Sequence, residues 1–203
     1  KYFKGGKVTA DNLHQLKAMG SATASSGAVG MYHVEGVTPD AKEKGKKLLD
    51  KGYKTYVIDD KEQARIISTF ENLWPDKKAD PTAAFIGCPH NSYHEVIKWG
   101  KLVTEALDKA GKKAAAIPVY MFMPNPVRDR AIEEHGELIS KMKRAGMSAT
   151  NMCGVSYAGM KGFSERVRGV TNSAKARAYS TLRYFPDDIL VKIIVTGKIP
   201  KDA

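Results

Sequence analysis

Residues 85–95 read FIGCPHNSYHE, and this stretch decides the fold. A short apolar run, residues 83–87 (AAFIG), leads straight into Cys88-Pro89-His90. Ser92 with Glu95 three positions on forms a capping box, which opens a helix to about Ala110. A buried strand followed at once by a capped helix is the βα unit of a parallel sheet. Ligands of open α/β sheets bind beyond the carboxyl ends of the strands. Cys88 is thereby placed at the mouth of the sheet, beside a helix N-terminus whose dipole and free N–H groups favour a thiolate. Pro89 removes one N–H and stiffens the turn. Two readings stand for Cys88 on these residues: a metal ligand or nucleophile, and a buried cysteine beside an ordinary βα turn.

The same alternation extends in both directions. Upstream, residues 8–20 read as a helix and the apolar run 28–34 (AVGMYHV) as a buried strand. Thr38 and Pro39 supply an N-cap and a first helical residue for a helix to about Lys51, ended by Gly52. Residues 53–58 (YKTYVI) read as a strand. Asp60 with Gln63 resembles a capping box for a helix over 61–73. Downstream, 115–123 read as a strand, 126–145 as a helix closed by Gly146, and 149–155 as a short segment breaking into a loop over 156–168. Asn172 or Ser173 caps a last helix to about Tyr184, and 189–196 read as the final strand. Strands separated by helices predict an α/β fold, a mainly parallel sheet with helices on both faces. The Pro-rich turn at 123–126 suggests a lobe boundary, giving an α/β lobe over 1–124 and a smaller one over 125–203.

Composition narrows the class. The chain has 203 residues, 42% hydrophobic and 27% charged, as an ordinary globular protein has, so disorder and coiled coil are excluded as the main state. The longest apolar runs, 114–119 and 189–195, fall far short of the ~20 residues that span a bilayer, and the polar start carries no signal-peptide core. No membrane association is expected. Thirty-three Lys and Arg against 22 acids give a net charge of +11, which favours anionic partners. Cys88 and Cys153 make no disulfide framework, and a cytoplasmic setting is expected. The first residue is Lys rather than Met, which points to a fragment or a cleaved product.

Three further segments carry chemistry. Cys153, in SATNMCGV (148–155), also follows a short segment. If both cysteines lie on the carboxyl edge of one sheet, they converge on a site where thiolates hold an iron–sulfur cluster. Two ligands do not complete such a cluster; His90 and His94 stand behind a further residue elsewhere as the missing ones. Residues 22–39 (ATASSGAVGMYHVEGVTP) put Ser25, Ser26 and Gly27 in a small-residue loop and His33 at the end of a strand. Such a loop either cradles an anion with its N–H groups or is a tight packing turn. Residues 161–183 hold Lys161, Arg166, Arg168, Lys175, Arg177 and Arg183 against the single acid Glu165. Thr171, Asn172 and Ser173 precede a helix there. Lys175 sits in its first turn, where the dipole disfavours a cation unless an anion is bound. The bland alternative is a solvated basic helix.

Taken together, ASSGAVGMYHVEGVTPDA (24–41), FIGCPHNSYHE (85–95) and VTNSAKARAY (170–179) resemble the large, catalytic subunit of the aconitase X family, in the family's order. The resemblance covers most of this chain and about the C-terminal half of that subunit. It implies an aconitase-like α/β fold and an iron–sulfur dehydratase, a hydro-lyase acting on a small hydroxy acid such as cis-3-hydroxyproline or mevalonate 5-phosphate. It implies Cys88 and Cys153 as two of three cluster cysteines, the third lying in the missing N-terminal half. It further implies a small swivelling domain or subunit as partner, so that this chain alone is expected to be inactive. Ser25, Ser26, Gly27, His33, His90, Asn172, Ser173 and Lys175 are the candidates for holding a small anionic substrate. The rival reading is a basic binding module for nucleic acid or another polyanion. Against it, the basic residues are scattered, and no aromatics interleave with them as stacking platforms.

Overall fold

The computed structural model describes residues 3–10, 12–158, 160, 162–163 and 165–201. The chain divides into two compact units, Lys1–Glu71 and Asn72–Ala203. In the second unit five strands form one wholly parallel sheet in the order β3-β2-β1-β4-β5. They are β1 (Ala83–Ile86), β2 (Val119–Phe122), β3 (Met147–Thr150), β4 (Gly169–Thr171) and β5 (Arg183–Tyr184). The turn at 123–126, where a lobe boundary was expected, lies inside this unit: β2 and β3 on either side of it pair from Val119–Met147 to Phe122–Thr150.

Alternation along the strands sets two faces. Ala84 and Ile86 of β1 and Val119 and Met121 of β2 enter the main core. That core is closed by α4 (Tyr93–Lys109), α5 (Asn125–Arg144) and α8 (Asp187–Thr196). Ala83, Phe85 and Phe122 turn to the opposite face, onto a smaller cluster with Ala158 of α6 (Gly154–Ala158) and Ala176 of α7 (Ala174–Ala178). Helices therefore cover both faces, as the alternation implied. On α4 the capping box forms as read: Ser92 Oγ accepts from Glu95 N at 3.4 Å, and Ser92 N donates to Glu95 Oε2 at 2.7 Å. α4 buries Val96, Trp99, Val103 and Leu107 at helical spacing.

Two expectations for the second unit give way. Residues 189–196 are helix α8, not a strand. Asp187 and Asp188 occupy its first turn, Gly197 closes it in the left-handed conformation, and Leu190, Ile193 and Ile194 form the buried stripe. The helix expected from Asn172 or Ser173 to Tyr184 stops at Ala178, and Arg183–Tyr184 pairs as β5.

The first unit holds α1 (Leu13–Gly27), α2 (Pro39–Lys44) and α3 (Asp60–Ser68). α1 begins and ends later than the predicted 8–20. α2 has Thr38 at its N-cap and Pro39 at its first position, as expected, but gives way to a 3-10 turn at Gly45–Leu48 well before Lys51. α3 is capped one residue early: Asp59 rather than Asp60 accepts from Glu62 N, at 2.7 Å, and the helix ends at Ser68. Neither 28–34 nor 53–58 is a strand. Both are strand-like in composition, but neither has a ladder partner, and Met31, Val57 and Ile58 are exposed. A strand is specified by pairing and burial as much as by its residues.

Candidate active site at the carboxyl edge of the sheet

From β1 the chain moves to β2 and β3 on one side and then returns to β4 and β5 on the other. The order reverses between β1 and β4, and crevices in open α/β sheets form at such a reversal. The turn after β1 carries Cys88, and that after β4 carries Ser173, with Lys175 in the first turn of α7 that follows. The turn after β3 carries Cys153.

The Cys88 turn is shaped by its neighbours. Gly87 has φ +108, and a Cβ there would lie 2.5 Å from the Phe122 carbonyl oxygen, so only glycine fits. The Cys88–Pro89 peptide is cis. Ser173 Oγ donates to the Cys88 carbonyl while accepting from Ala176 N at 3.0 Å. His90 Nε2 lies 3.3 Å from the carbonyl of Asn151, which ties this turn to the one bearing Cys153. Directly after Cys153, Gly154 sits against Phe122, where a Cβ would come within 2.6 Å of the ring. Both cysteine turns thus close on the last residue of β2.

The electrostatics tie the same groups together. Burial pushes the half-buried Cys88 thiol up, against the Ser173 contact and the Lys175 ammonium, which pull it down; Cys153 adds to the rise. Cys153 is exposed, and its thiol is pulled below its ordinary range by the backbone N–H and hydroxyl of Ser156, the Val155 N–H and the Lys175 charge. One lysine therefore acts on both sulfurs. Ser156→Ala removes a hydrogen bond that favours the Cys153 thiolate. The pH at which Cys153 becomes half-alkylated should move upward, and its iodoacetamide reaction at neutral pH should slow; an unchanged pH–rate profile would count against this description.

The other candidates distribute as follows. Asn172 donates its amide to Asp187 Oδ1 at 2.9 Å, at the start of α8. His94 is on the exposed side of α4, its ring 5.4 Å from that of Tyr93. Ser25, Ser26 and Gly27 belong to the first unit and lie in the last turn of α1, not in a loop. Ser25 and Ser26 donate back to the carbonyls of Ser21 and Ala22, each at 2.7 Å, so the expected cradle of free N–H groups is replaced by helix. His33 is exposed in the same unit. α7 is little more than one turn, and Ser173 already satisfies its Ala176 N–H, so the expected anion site at this helix N-terminus loses its free N–H groups and dipole. The basic segment is not one face. Arg168 donates to the Asp80 carbonyl at 2.7 Å, and Arg183 stacks over Trp74 and Phe185. Lys161 lies outside the described residues.

Two free cysteines in turns at the carboxyl edge of one sheet suit an iron–sulfur cluster in kind, since thiolates are its ligands. They do not complete one: among the described residues no group of three or more His, Cys, Asp or Glu side chains is placed to hold a metal. Sequence reading missed Asn91, which is 3% exposed beneath the Cys88 turn. A polar residue between a strand end and an N-cap was the available signal.

A parallel sheet with helices on both faces and a strand-order reversal at its carboxyl edge defines the fold class, and comparison with known proteins gives its relatives. Residues 2–68 match the family model described as the aconitase X second domain. Over 127 residues the chain is 32% identical to the phosphomevalonate dehydratase large subunit of Thermococcus kodakarensis, covering 63% of this chain and 29% of that protein. It is 36% identical over 91 residues to the Methanosarcina mazei protein of the same name (44% and 20%), and 27% identical over 169 residues to that of Aeropyrum pernix (81% and 36%). The crystal structure of Thermococcus kodakaraensis aconitase X in its holo-form superposes with a TM-score of 0.70 at 22% identity, covering 96% of this chain and 49% of that one. The chain shares the fold of that structure and is similar to these large subunits; it spans about a third or less of the curated relatives it matches and about half of the solved chain.

Proposed function

We propose that this chain is part of an iron–sulfur hydro-lyase that removes water from a small phosphorylated or carboxylated hydroxy acid, with mevalonate 5-phosphate as the first substrate to test. The reading is supported by the placement of Cys88 and Cys153 in the turns after β1 and β3, linked by the His90–Asn151 contact, in a relative of phosphomevalonate dehydratase large subunits. Cys88 and Cys153 would hold the cluster, with a further ligand from outside the described residues and a small swivelling domain or subunit completing the enzyme. The bound cluster supplies a Lewis acid for the departing hydroxyl.

The residues of this chain bind and orient. Lys175, in the first turn of α7, favours the ionised form of both thiols and would attract the anionic end of the substrate. Ser173 holds the Cys88 turn in place through the Cys88 carbonyl. His90 links the two cysteine turns and stands at the edge where substrate enters.

In the assembled enzyme, reconstituted anaerobically with iron and sulfide, loss of water from mevalonate 5-phosphate should be detectable. Turnover of cis-3-hydroxyproline instead would keep the hydro-lyase reading and change the substrate. No dehydration of either by a cluster-loaded enzyme would overturn it. Lys175→Ala removes one charge-assisted contact of about 1.5–3 kcal/mol, so the apparent substrate affinity should fall roughly tenfold or more with the visible spectrum unchanged. Unaltered kinetics would return Lys175 to a solvent role.

A further inference from the structure

We infer that Asn91 is a positioning residue for the Cys88 sulfur, an inference that rests on the reading of Cys88 as a cluster ligand. Asn91 is a buried side chain with an unusual set of partners. Its amide Nδ2 donates to the carbonyl of Ile86, the last residue of β1, and to that of Phe122, the last residue of β2, each at 3.1 Å. Its own N–H donates to the same Phe122 oxygen at 2.8 Å. One carboxamide thereby spends both of its protons on strand-end carbonyls that must find partners off the ladder.

The bond to Ile86 closes the loop over residues 86–91, and Cys88 rides within it. The bonds to Phe122 fasten that loop to the strand end against which Gly154 also packs, directly after Cys153. Asn91 therefore fixes the Cys88 turn relative to the Cys153 turn, not merely to its own strand. The fit is tight: a Cβ on Gly87 would run into the Asn91 amide, so the carboxamide packs directly against the backbone of the residue before Cys88. Hydrogen bonds from such a buried amide are worth most where no water can replace them.

The test uses the full chain and its second cysteine as an internal reference. Peptide-resolved iodoacetamide labelling at one fixed pH gives the ratio of Cys88 to Cys153 reaction rates. Asn91→Ala should raise that ratio by about tenfold as the loop opens, while the Cys153 rate holds. Asn91→Ser, which keeps one donor, should fall between the two, and it carries the measurement if Asn91→Ala yields no folded protein. A ratio unchanged in the folded variants, with only a lower melting temperature, would make Asn91 a plain structural staple and overturn the inference. The readout needs no cluster, so the two readings fail separately: a raised ratio together with normal iron–sulfur loading in Cys88→Ser would keep the positioning role and remove the cluster reading.

Discussion

Gly87→Ala should lower the stability of the protein by about 3 kcal/mol or more, visible as a fall in the urea midpoint. Two costs add. A φ of +108 is a region L side chains rarely adopt, and the methyl group would meet the Phe122 carbonyl oxygen at 2.5 Å as well as the Asn91 amide. Neither neighbour is the loose end of a flexible chain: one is backbone at the end of β2, and the other is a buried amide whose nitrogen donates to two strand-end carbonyls. Relief would have to come from the strand ends that carry the cysteine turns. Gly136→Ala is the matched control, because a Cβ at Gly136 meets nothing within 4 Å. Equal midpoints for the two variants would show that the turn is not held as described.

Cys88→Ser should reduce dehydration by the assembled enzyme about a thousandfold or more, with loss of visible absorption. A Lewis acid on the leaving hydroxyl is worth several kcal/mol, and each 1.36 kcal/mol is a factor of ten. Serine preserves the size of the side chain and the Ser173 contact, which is made to the Cys88 carbonyl and not to its sulfur alone. The loss would therefore report the ligand and not the turn. Activity within a few-fold of the parent enzyme would remove Cys88 from the chemistry.

The βα unit at 83–109 was legible because its signals are local. A short apolar run, a proline turn and a capping box each act within a few residues, and each is found where the sequence puts it. The alternation around it gave the parallel sheet for the same reason. Residues 28–34, 53–58 and 189–196 misled because an apolar run does not state its partner. The first two find no ladder. The third is wound into α8 by acidic residues at its start and a glycine at its end, signals present in Asp187, Asp188 and Gly197. Within the site, Cys88 and Cys153 could be placed at strand ends from sequence. The action of Lys175 on both thiols, and the grip of Asn91 on two strands, depend on which strands are neighbours, and strand order is a long-range property that no short motif carries.

A cadmium titration tests the convergence of the two thiols most directly. Cd²⁺ binds thiolates and gives an ultraviolet charge-transfer band for each sulfur it takes, so the full chain can be titrated without assembling a cluster. One tight step at a single Cd²⁺ per chain is expected, lost in Cys88→Ser and lost equally in Cys153→Ser. Two weaker, independent steps, each removed only by its own variant, would contradict a shared site.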